Sequence, residues 1–160
     1  MTHLFDLDIT LWDTFDKRGN SIWAKQLVAP YKVYGNMIVD DVFSKCVLRK
    51  GVREYLQYLR DENHQVGFVS VGGYFGMEHS KQPSIRALKL FGIFNYFNSI
   101  HVLEYKVFNK AKAISQIKDK VIFYDDAPKN FEAVKHLTNV TCVDSLNIKD
   151  WSQLIGKKYD

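Results

Sequence analysis

At 160 residues, with 46% hydrophobic and 25% charged side chains, the chain has the size and composition of one globular domain, not of a disordered or repetitive segment. Its formal net charge of +4 would help attract anionic partners, although a solvated lysine-rich surface is the better account of it. Cys46 and Cys142 lie far apart with no zinc-finger spacing. No apolar run approaches the roughly 18 residues of a membrane span, and Met1 leads straight into an apolar stretch, so a cytoplasmic protein without membrane association is expected.

The first apolar run predicts a buried strand over 4–7, bounded by carboxylates. Residues 13–46 have no clean period and carry the turn signals Gly19-Asn20, Pro30 and Gly35-Asn36. They read as a loop with a small hairpin, a flap on a single domain of residues 1–160. Val52, Tyr55, Leu56 and Leu59 recur at helical spacing and predict a helix over 51–63. A strand over 66–71 follows, ending in Gly72-Gly73, then a helix over 83–91 stopped by Gly92. Further on come a strand over 100–103, a helix over 111–117 and a strand over 121–124 closed by Asp125-Asp126. A helix over 131–137, a strand over 140–143 and a terminal helix over 151–155 complete the chain. Strands alternating with helices predict an α/β fold, a parallel sheet with helices on both faces. In such sheets ligands bind beyond the carboxyl ends of the strands. The polar residues at those ends, Asp6, Asp8, Ser70, Asp125 and Asp126, are therefore expected to converge.

Each of these motifs has its own chemistry. In Phe5-Asp6-Leu7-Asp8-Ile9-Thr10-Leu11-Trp12, carboxylates two apart on an extended strand would point the same way, repel, and be relieved by a hard cation. Ser70 ends an apolar strand before two glycines, where a hydroxyl and backbone N–H groups can meet an anion; a capping serine fits as well. Asp125-Asp126-Ala127-Pro128 ends another strand, and a turn with Asp caps is the structural alternative. Between them stand Lys106, Lys110 and Lys112. Lys110 opens a helix whose inward face would be Ala113, Ile114 and Ile117, and the other two lysines stay open as the phosphate-binding group. The five histidines share no spacing and read as surface or core residues. Trp12, Trp23, Tyr31 and Tyr34 either flank an entrance or pack the hairpin.

The order Asp-x-Asp-x-Thr, strand-end Ser, Lys, Asp-Asp resembles the haloacid dehalogenase superfamily of phosphohydrolases. Asp6, Asp8 and Thr10 match its first motif, Ser70 its second, and Asp125 and Asp126 its fourth. The Thr10-Leu11-Trp12 ending is similar to the magnesium-dependent phosphatase-1 group, which lacks a large cap domain; that group tends to carry Arg after the second-motif serine, where this chain has Val71. The resemblance implies a Rossmann-like sheet and a Mg²⁺-dependent phosphatase working through an aspartyl-phosphate. It implies Asp6 as nucleophile and Asp8 as acid and base. Mg²⁺ would be held by Asp6, Asp125 and the Asp8 backbone, with Asp126 orienting water. Ser70, Val71 and Lys110 would lie on the phosphoryl group. A phosphotransferase on the same site, or a module that binds phosphoryl groups without turnover, is the alternative. The phosphorylated partner can be a small ester, a phosphoprotein or a nucleic-acid end.

Overall fold

The computed structural model of the chain describes residues 1–104 and 109–159. Its strands and helices are, in chain order, β1 (Thr2–Phe5), β2 (Trp12–Phe15), β3 (Ser21–Ile22), β4 (Lys32–Tyr34), β5 (Met37–Val39), β6 (Lys45–Leu48), α1 (Val52–Asp61), β7 (Gln65–Val71), α2 (Pro83–Leu90), β8 (His101–Glu104), α3 (Lys110–Ile114), β9 (Val121–Asp125), α4 (Pro128–Val134) and β10 (Val140–Asp144). Short 3-10 turns lie at Ala24–Gln26, Ser145–Asn147 and Trp151–Leu154, among others.

Five strands form one parallel sheet in the order β10-β9-β1-β7-β8. The period of two sorts their side chains onto two faces. Phe5, Phe68, Ile122 and Tyr124 pack with Tyr55, Leu56, Ile85 and Leu88 of α1 and α2. Leu4, Val69, Val121 and Phe123 pack instead with Ala111, Ile114 and Val134 of α3 and α4. Burial on both faces is why these strands read as unbroken apolar runs. The chain builds outward from β1 through β7 to β8, then crosses back to lay down β9 and β10 on the other side. The chain after β1 packs on the α1 face and the chain after β9 on the α4 face, so the connections at the carboxyl ends of these adjacent strands leave in opposite directions.

The expected elements of this layer are found within a few residues, with three differences. The strand expected over 4–7 stops at Phe5, so Asp6 lies just beyond it. The helix expected over 131–137 starts three residues earlier, because Pro128 suits the first turn of α4, and the terminal helix is only a 3-10 turn.

Residues 13–46 differ more. In place of a loop with a small hairpin, the chain from Trp12 to Leu48 makes a five-stranded antiparallel sheet in the order β3-β2-β6-β5-β4. Trp12, Ala24, Ile38, Cys46 and Leu48 of this segment are buried in the same core as α1 and α2. The segment is thus an integral layer of the core. No period betrayed it because its strands are two to four residues long, β4 is wholly exposed, and β2 pairs with β6 some 30 residues later. No helix among the described residues is long and apolar enough to cross a membrane.

Gly51 joins this layer to α1. Its φ is +78°, and an added Cβ would lie 2.3 Å from Asp150 Oδ1 and 2.4 Å from the Ser152 amide nitrogen. That close approach seats the turn carrying the fully buried Trp151. Gly19 has a similar φ of +84° with nothing within 4 Å. Gly19→Ala should therefore cost only the left-handed backbone penalty, about 1–2 kcal/mol. Gly51→Ala should cost about 2 kcal/mol more by displacing the Trp151 turn. Urea unfolding of both variants checks this, and equal losses would refute the docking role.

Candidate active site

Asp6 leaves β1 at its carboxyl end, where its amide still donates to the Tyr124 carbonyl at 2.8 Å and so extends the ladder by one residue. The chain then turns sharply: the Thr10 and Leu11 amides both donate to the Leu7 carbonyl, and the Ile9 amide to that of Trp12. Ile9 holds φ at +63°, a left-handed conformation that a β-branched residue adopts only under strain. The strand itself stops at Phe5, before both acids of the first motif. They do not project together from one extended strand, as the sequence suggested.

Asp6 points to the α3 side. Lys110 Nζ donates to Asp6 Oδ1 at 2.8 Å and to Asp125 Oδ2 at 2.6 Å, and is itself buried. Asn109 caps α3 by accepting from the Ala111 amide, which fixes where Lys110 starts. Of the three candidate lysines, Lys110 occupies this position, Lys112 is solvent-exposed, and Lys106 lies outside the described residues. Asp125 is fully buried and also accepts from the Ala127 amide and from Asn130 Nδ2, both at 2.9 Å. Thr10 Oγ1 donates to Asp6 Oδ2 at 3.1 Å.

Asp6, Asp125 and Asp126 each offer an oxygen within 4.8 Å of the others, a group that could hold a metal ion. An all-carboxylate donor set suits a hard cation. Charge argues the same way, since three carboxylates surround one ammonium. Burial first, then Asp125 and Asp126, push the Asp6 carboxyl up to about 8 against the pull of Lys110. Asp126 is also raised, chiefly by burial, while a hydrogen bond with Asp6 opposes the rise. Burial disfavours the charge on Lys110, yet Asp6 and Asp125 outweigh it and raise its pKa. Lys110 thus keeps its proton, and the surplus negative charge falls on the carboxylates.

The Asp8 carboxyl stands apart from this group. Its Oδ1 accepts from Trp12 Nε1 at 2.9 Å and from the Ala24 amide at 3.0 Å. Both donors converge on one oxygen. Burial raises the pKa of this carboxyl, opposed by those two donors and by the charge of Lys25. Ser70 is buried at the carboxyl end of β7, its hydroxyl making only a 3.5 Å contact with the Val71 carbonyl, and Val71 is exposed beside it. Of the four aromatics, Trp12 is buried on Asp8, Tyr31 lines a small apolar cavity beside α2, and Trp23 and Tyr34 are exposed.

Sequence reasoning missed Asn130, the Ala24 amide, Ser145 and Arg49. Asn130 had a legible signal, two residues after Pro128 on the first turn of α4. The others arrive from elements distant in sequence. Ser145 Oγ lies 3.2 Å from Thr10 Oγ1. Arg49 forks onto Asp13 at 3.0 and 2.9 Å and reaches the Ser145 carbonyl at 3.3 Å.

No family model matches the chain, and no curated protein does. Among solved structures it is similar to that of an uncharacterized protein from Listeria monocytogenes serotype 4b. The identity is 18% over 79% of this chain and 67% of that one, with a TM-score of 0.46.

The raised Asp6 pKa makes stability depend on pH. Between an unfolded pKa of about 3.9 and the folded value, the native state holds a proton that the unfolded chain has released. The stabilisation is complete below about pH 4 and is lost as pH rises through about 8. With chelator present, Asp6→Asn should gain on the wild type as pH rises from 4 to 8, and added Mg²⁺ should narrow the gap by stabilising the wild type. Thermal midpoints of both proteins across this range check it; a pH-independent gap would disprove the assignment.

Proposed function

We propose that this chain is a Mg²⁺-dependent phosphomonoester hydrolase working through an aspartyl-phosphate on Asp6, a member of the haloacid dehalogenase superfamily close to its magnesium-dependent phosphatase-1 group. One observation carries the reading: Asp6 is buried at the carboxyl end of the central strand, bonded to Lys110 at 2.8 Å and gathered with Asp125 and Asp126. The strand order supports it, since β8-β7-β1-β9-β10 follows the first five strands of the doubly wound order and the site lies at its switch point.

A cation on the three acids would displace the proton that burial keeps on Asp6, and the carboxylate then attacks phosphorus in line as the bond to the leaving oxygen breaks. Asp8, whose pKa burial raises, passes a proton to that oxygen from Oδ2, the oxygen turned away from Trp12 and Ala24. Water then attacks phosphorus, Asp8 takes its proton, and the bond to Asp6 breaks, releasing phosphate and restoring both residues. Lys110 and Ser70 donate to the non-reacting phosphoryl oxygens, and the amides after Ser70 add backbone donors. The loop there is exposed at Val71, so no Arg grips the substrate at that position. Mg²⁺ on Asp6, Asp125 and Asp126, with a backbone oxygen of Asp8, would screen the repulsion between the nucleophile and an anionic ester.

Two outcomes follow. The protein should hydrolyse p-nitrophenyl phosphate with Mg²⁺, stop in excess chelator and recover on repletion, and Asp6→Asn should abolish turnover; activity in chelator or in that variant would refute the reading. Asp8→Asn should slow an alkyl phosphate by about 10²–10⁴-fold. It should slow p-nitrophenyl phosphate less, because that leaving group needs no proton. Equal losses for the two esters would remove Asp8 from the acid role.

A further inference from the structure

The hydrogen bonds behind Asp6 run in one direction. A threonine hydroxyl has one proton to give. Thr10 donates its proton to Asp6 Oδ2, and both residues are buried. The 3.2 Å contact between Thr10 Oγ1 and Ser145 Oγ must then be supplied by the proton of Ser145, so Ser145 donates to Thr10 and Thr10 to Asp6. Ser145 has no solvent exposure, so no water replaces it. Its backbone is pinned as well, because its carbonyl accepts from Arg49 Nη1 at 3.3 Å. Arg49 is fixed three times over: by the fork on Asp13, by that carbonyl, and by its own amide, which donates to the Leu11 carbonyl at 2.9 Å. The clasp ties the antiparallel sheet and the turn after β10 to the loop that carries the nucleophile.

We propose that Ser145 is a positioning residue for Asp6: anchored by Arg49, its hydroxyl commits the Thr10 proton to Asp6 Oδ2 and fixes the rotation of the nucleophilic carboxylate. The inference rests on Asp6 being the nucleophile. Without the Ser145 donor, Thr10 can turn its proton elsewhere and Asp6 rotates away from the line of attack. Orientation of this kind acts on the chemical step more than on binding.

The test measures kcat and KM with Mg²⁺ and p-nitrophenyl phosphate, well below each thermal midpoint. Ser145→Ala should lower kcat roughly tenfold with KM within about twofold. Thr10→Val should lose at least as much, and Thr10→Ser, which keeps the hydroxyl, should recover most of the rate. The double variant Ser145→Ala/Thr10→Val should be no slower than Thr10→Val alone, because the two losses belong to one chain of hydrogen bonds. Phosphoenzyme trapped per mole of protein counts competent sites, so a variant that merely misfolds shows a smaller burst at an unchanged rate constant, which would overturn the role. Should Ser145→Ala not fold, Ser145→Cys, a weak donor of similar size, takes its place with the same expectation. An active wild type with an unchanged Ser145→Ala, or additive losses in the double variant, overturns the relay alone. A wild type that turns over no phosphate ester overturns the phosphatase reading and the positioning role with it.

Discussion

A buried lysine between two buried carboxylates is the constraint around which the carboxyl edge of this fold is built. Bringing Lys110, Asp6 and Asp125 out of water costs several kcal/mol per ion, and mutual attraction offsets this only when the remaining lone pairs are also satisfied. Each carboxylate therefore has further donors: Thr10 for Asp6, Asn130 and the Ala127 amide for Asp125. The Asn109 cap and Pro128 serve the same end, because they fix where the helices carrying Lys110 and Asn130 begin. Even so the charges do not balance. A site with three carboxylates and one ammonium has to take up protons or a cation, and this is what makes it chemically poised rather than merely cohesive.

The antiparallel sheet serves the site from the other side. It supplies Trp12 and the Ala24 amide to Asp8, and its strand ends carry Asp13 and Arg49. The chain leaves β1, makes the strained turn at Ile9, builds the sheet, and returns at Arg49 alongside Leu11. The turn is thus held at both ends by regular structure, which is how a conformation costing about 1–3 kcal/mol persists. Its effect is to give the two acids different surroundings. Asp6 faces a lysine and two acids, while the Asp8 carboxyl accepts from an indole N–H and a backbone amide. Burial raises the pKa of both carboxyls, opposed chiefly by Lys110 at Asp6 and by the Ala24 amide and Trp12 at Asp8.

The sequence by itself determined the parallel layer and the composition of the candidate site. Strands buried on both faces must be apolar throughout, so β1, β7 and β9 stand out as runs, and the polar residues that close them, Asp6, Ser70 and Asp125, mark the carboxyl edge without further information. Helical spacing located α1 and α2, and Lys110 was singled out because its helix presents an apolar face. Tertiary structure alone decided the rest. The strands of residues 12–48 are too short and too often half-exposed to carry a period, and they exist only through pairing across some 30 residues. The strand stops before Asp6, and Asp8 takes its own partners in Trp12 and the Ala24 amide, which an extended-strand reading cannot foresee. The link from Ser145 to Thr10 joins positions 135 residues apart. Local periodicity reports which face of an element is buried; which polar groups meet across the core is set by the packing of distant elements, and that information exists only in the folded chain.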